Sequence, residues 1–243
     1  MNWRLALLVA VIAAPGPVAT SWLALPLLVD PNGLEVPLRT LQIATAVQGL
    51  ILAVVTSVVG TLLAAKVGLR APVLNSLVSG GDALAAFRSQ WFPGVIGGLL
   101  GAAVIIAFYA FSPDALATIQ ARGNIPLAAR LLYGGVTEEV LLRWGLISFL
   151  VWAAWRVVQQ GRGQVSGSIV WFAIGISSLL FGLSHVPSVA AALGSVPASV
   201  VVYITLGNAA FGMVAGFLFW RYGLEAAIAA HFLAHVLAFA IRG

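Results

Sequence analysis

Long apolar runs, each closed by a short break of polar residues, glycine or proline, divide the chain into seven predicted membrane helices. The first runs from Trp3 to Val29, kinked at Pro15-Gly16-Pro17, and stops at the turn signal Asp30-Pro31-Asn32-Gly33. A second covers Leu38 to Ala65 and is closed by Lys66 and Arg70. Residues 67 to 91 form the most polar stretch, with Asn75, Asp82, Arg88 and Gln90, and are expected at the membrane interface. The third helix is predicted over Phe92 to Phe111, before Ser112-Pro113-Asp114. Pro126 suits the first turn of a fourth, which continues to about Val158 and gives way to the loop Gly161-Arg162-Gly163-Gln164. The fifth spans Ser168 to His185 and stops at Pro187; the sixth spans Pro197 to Trp220; the last spans Gly223 to Ile241. About 20 apolar residues cross a bilayer, so these lengths suffice. No internal repeat is visible, which argues against the paired-repeat architecture of many transporters.

Composition changes the picture only by removing alternatives. The chain has 243 residues, 61% apolar and 8% charged, against roughly 25% charged in an ordinary soluble domain. Too few charges remain to wet a soluble surface, so the solvent is mostly lipid. The expected fold is an all-α polytopic bundle of seven or eight transmembrane helices, forming a single membrane domain over residues 1–243. A large extramembrane domain, disorder and a disulfide scaffold are excluded. With no cysteine there is no thiolate metal site and no lipidated cysteine. The net charge of +5 comes from bases scattered at the ends of apolar runs, which suits lipid headgroups rather than nucleic acid. Arg4 followed by Leu5 to Ala14 has the form of a signal peptide. The apolar run resumes after Pro17, so it reads as a retained first helix. Arg4, Lys66, Arg70, Arg88, Arg156, Arg162 and Arg221 fall on alternate connections, which favours a cytoplasmic N-terminus.

Ionisable groups at membrane depth are costly and face a partner or a cavity. Of seven carboxylates, five lie near helix ends or in loops. The other two are Glu138-Glu139, inside the predicted fourth helix. Arg143 follows Glu139 in the favourable acid-first i,i+4 arrangement. Glu139 is therefore expected to pair with Arg143, leaving Glu138 turned about 100° away. A second reading makes Thr137 the cap of a helix that starts after Gly134-Gly135, with both acids at its N-terminus. All three histidines also fall in or at the ends of apolar runs. His185 has Phe181 one turn earlier on the same face, and His231 and His235 share a face four residues apart. His231-Phe232-Leu233-Ala234-His235 lacks the glutamate of a HExxH metalloprotease. No Gly-x-Ser-Gly site appears, and Asp82 has no aspartate partner in another membrane helix. A glutamate with histidines remains, a set that can activate water and stabilise an oxyanion.

Three motifs, in order, resemble those of a known family. Glu138-Glu139-Val140-Leu141-Leu142-Arg143 matches EExxxR, Phe181-Gly182-Leu183-Ser184-His185 matches FxxxH, and His231 with His235 approximates HxxxN. These are the marks of the CPBP group of intramembrane proteases, which includes CAAX prenyl proteases and bacteriocin-processing or Abi proteins. The resemblance covers residues 127–240, a catalytic core; residues 1–126 match only as apolar helices. It implies an intramembrane endopeptidase in which Glu138 and His185 activate the attacking water. Glu139 and Arg143 would orient it, His231 and His235 would hold the oxyanion, and Phe181 would contact substrate. The family's fourth position is usually Asn. His235 keeps a hydrogen-bond donor there but is a better metal ligand. If a divalent metal such as zinc is used, His185, His231 and His235 are its candidate ligands; no cofactor is otherwise required. The implied partners are the bilayer and a peptide or membrane-protein substrate. A catalytically silent immunity or scaffold protein of the same fold, and a proton-coupled transporter using Glu138, are the alternatives. Straight helices raise one difficulty: His185 would lie roughly 25 Å along its helix and His231 only about 10 Å along its own. A shared site needs a last helix that begins inside the membrane after a re-entrant turn, or a fifth that begins well outside it.

Overall fold

The computed structural model describes residues 2–29, 33–117 and 125–242. Among these residues all regular structure is helical, and seven helices are long and apolar enough to cross a membrane. The spans are α1 (Trp3–Leu28), α2 (Leu38–Val67), α4 (Ala83–Ala110), α5 (Leu127–Val158), α6 (Gly167–Leu183), α8 (Ala198–Arg221) and α9 (Leu224–Arg242). Two short helices lie between them: α3 (Pro72–Ser79) and α7 (Val186–Leu193), which extends the α6 span. The protein is thus an all-α polytopic membrane bundle. Its outward surface carries Phe111, Val157, Trp3 and Phe92 well exposed, as expected where lipid is the solvent.

Three predicted boundaries are corrected. The third membrane helix starts at Ala83 rather than Phe92, because Asp82 accepts a 2.8 Å bond from the Ala85 amide and caps it. Pro93 is carried inside that helix. Pro187 does not end the chain's helical course. It sits in the first turn of α7, where a missing N–H is harmless. Third, Thr137 caps no helix. α5 runs through it, and its hydroxyl donates to the Ala13 carbonyl at 2.7 Å, with the Leu132 carbonyl at 3.1 Å. The first helix is continuous from Trp3 to Leu28, with a wide turn over Thr20–Ala24 just before Pro26. Of its expected stop, Asp30 to Asn32 lie outside the described residues.

The depth problem is resolved by where α9 begins. Leu224, Ala226 and Ala227 are wholly buried. The Leu224 amide donates to the Arg70 carbonyl and the Ala226 amide to Gln90 Oε1. Glu225 in turn accepts the Leu74 amide at 2.8 Å and so caps α3. The last helix therefore starts beneath residues 70–74, inside the fold. A stripe of Gly94, Gly97, Gly98 and Gly101 on α4 lets α9 approach closely, each glycine facing Ala229, Ala230, Leu233 or Ala234. His231 is thereby lifted toward the end of α6.

Candidate active site

Glu138 and Glu139 sit between two stretches of α5 that are wound more widely than an α-helix, Arg130–Thr137 and Val140–Ile147. Such wide turns re-aim side chains and are frequent at functional sites. Here they turn the two acids to different surroundings. Glu139 points into the bundle and has no exposure; Glu138 lines a cavity.

Behind the cavity lies a buried polar chain that ties four helices together. Arg143 Nη1 is 3.1 Å from Glu139 Oε1, both side chains essentially without exposure. Arg143 Nη2 also donates to the Gly212 carbonyl of α8, and its guanidinium lies 5.1 Å from the centre of the Phe181 ring of α6. On its other side the same Glu139 oxygen accepts from His231 Nδ1 at 2.7 Å. The i,i+4 pair expected from the sequence is present, and the tertiary structure adds His231 to it. One nitrogen of His231 is thus engaged, leaving Nε2 free.

In front of this chain His185 Nε2 stands 4.0 Å from Glu138 Oε1. His185 Nδ1 donates to the Phe181 carbonyl at 2.8 Å, so in the neutral ring Nε2 carries the lone pair. The Phe181 ring packs edge-on against both His185 and His231, with centroids at 4.9 and 6.2 Å. His235 stacks on His231 at 4.9 Å. Gly134 makes this possible, since a Cβ there would lie 2.6 Å from His235 Nε2. The structure thus brings Glu138, Glu139, Arg143, Phe181, His185, His231 and His235 into one region.

The cavity measures about 510 Å³, within the usual range for ligand sites of about 300–1,000 Å³. Glu138, Phe181, His185, His231 and His235 line it, together with Tyr133, Asn208 and Phe211. None of the last three was singled out from the sequence. Asn208 carried a signal, being an amide in the middle of an apolar helix; Tyr133 and Phe211 carried none. Among the described residues no group of three or more His, Cys, Asp or Glu converges as a ligand set.

Fold and site together define a multi-pass membrane protein with a mainly apolar cavity into which the second half of the chain brings one carboxylate and three imidazoles. Residues 121–237 match the family model described as type II CAAX prenyl endopeptidase, Rce1-like. The resemblance carried by the three motifs is borne out: the second half of the chain is similar to intramembrane endopeptidases of the CPBP group. No curated protein and no solved structure gives a significant match.

Proposed function

We propose that the protein hydrolyses a peptide bond in this cavity with a water activated by Glu138 and His185. The observation that carries the reading is the 4.0 Å gap between Glu138 Oε1 and His185 Nε2, the span of one bridging water. Glu138 takes a proton as the water oxygen bonds to the carbonyl carbon, then returns it to the leaving amine as the C–N bond breaks. His185 Nε2 accepts from the same water and fixes its direction of attack. Glu139 does not reach the cavity and acts through His231. His231, held at Nδ1 by Glu139, presents Nε2 to the developing oxyanion. Arg143, 3.1 Å from Glu139, holds that carboxylate in place. His235 is a second donor to the oxyanion, and Phe181 bounds the place of the scissile bond. No step needs a metal. The substrate is a peptide or a segment of another membrane protein.

Purified protein in detergent, assayed against a peptide library beside Glu138→Gln, tests this. The amide keeps the shape but cannot accept the proton, so turnover should fall at least ~10²-fold with thermal unfolding unchanged. Normal turnover by Glu138→Gln would refute the mechanism.

A further inference from the structure

The cavity occupies one end of the bundle. Its walls come from the last turns of α1, Thr20 to Leu28, from the end of α4, Val104 to Tyr109, and from the start of α5. The α6–α7 junction, the first half of α8, and His231 and His235 of α9 complete it, and α2 and α3 contribute nothing. The opposite end holds the start of α4, the ends of α2 and α8 and the start of α9, tied by bonds among Arg70, Arg221, Leu224, Gln90 and Ala226. That end is closed: Ala71, Leu224, Ala226 and Ala227 have no exposure.

Charge divides the same two ends. Arg4, Lys66, Arg70, Arg88, Arg156, Arg162 and Arg221 belong to the closed end, seven of the chain's twelve basic residues. Its two carboxylates are Asp82, a helix cap, and Glu225, buried as the cap of α3. Among the described residues the cavity end has Arg39 and Arg130, with Arg242 ending α9 there. Against these stand Glu35 and Asp114, so the net charge of its described residues is close to zero. Short connections rich in Lys and Arg stay in the cytoplasm.

We infer that the cavity opens on the non-cytoplasmic face of the membrane, and that its substrate is a peptide segment already on that side. The substrate half rests on the peptidase reading; the orientation does not. A protein whose cleavage site stays in the cytoplasm would meet the closed, basic end instead.

The absence of cysteine makes the test direct, because the parent chain is its own blank. Single cysteines are placed at Ala115 and Ser188, exposed at the cavity end, and at Gln164, exposed at the basic end. Intact cells expressing each full-length variant are treated with a membrane-impermeant maleimide before and after permeabilisation. Ala115→Cys and Ser188→Cys should label in intact cells, and Gln164→Cys only after permeabilisation. The reverse pattern, or labelling of all three in intact cells, would overturn the orientation. In sealed right-side-out vesicles, a cleavable library peptide should be cut when supplied outside, and Glu138→Gln should abolish the cleavage. Cleavage only of peptide trapped inside would overturn the substrate assignment. Labelling as expected with no cleavage from either side would uphold the orientation and count against the peptidase reading alone.

Discussion

Removing Arg143 should unfold the protein more readily, because it takes away the cation that pairs with the buried Glu139. Glu139 has no exposure and Arg143 about 1%. In Arg143→Ala the Glu139 carboxylate keeps only His231 Nδ1, and the Gly212 carbonyl loses its donor. Breaking one side of a buried ion pair costs about 3–5 kcal/mol. At 1.4 kcal/mol per decade, this shifts the folding equilibrium roughly 10²- to 10³-fold. The lost contact with the Phe181 ring belongs to the same deletion and is not added separately. Denaturant-induced unfolding in detergent reads the change, and a double-mutant cycle gives its cause. Glu139→Gln in the Arg143→Ala background removes the stranded charge and should recover part of the loss. A cycle that is simply additive, or an Arg143→Ala variant within about 0.5 kcal/mol of the parent, the ordinary scatter of surface changes, would refute the buried pair.

Three further outcomes follow from the same geometry. Gly134→Ala puts a methyl 2.6 Å from His235 Nε2, and overpacking of this kind costs about 1–3 kcal/mol; a thermal midpoint and turnover both equal to the parent's would contradict the close approach of α5 and α9. His235→Asn keeps a donor near the oxyanion, so activity should stay within about tenfold and persist in chelator. Stoichiometric zinc in the parent, lost with activity in that variant, would overturn the metal-free mechanism. Glu225→Leu leaves the buried Leu74 amide without an acceptor, at a cost of about 1–3 kcal/mol, and unchanged unfolding would show that the cap of α3 contributes nothing.

Much of the architecture was legible in the order of residues, because the determining interactions are local or with the solvent. Apolar runs of membrane-spanning length, closed by Lys66 or by Ser112-Pro113, specify helices whatever their neighbours, since lipid satisfies no backbone group and each segment must bond internally. The Glu139–Arg143 contact is likewise local, four residues on one helix. Where a polar residue near a helix end has two uses, local reading failed. Asp82 caps α4 rather than lying in an interfacial loop, and Thr137 bonds across to Ala13 rather than starting a helix. What the tertiary structure alone decided is the meeting of distant groups. Glu139 and His231 are 92 residues apart in sequence, and their contact depends on α9 beginning under residues 70–74 and on Gly134 admitting His235. Those positions follow from close packing of small side chains between helices, where distance along the chain carries no information. The cavity, with Tyr133, Asn208 and Phe211 in its wall, is the space that packing leaves, and a list of residues does not contain it.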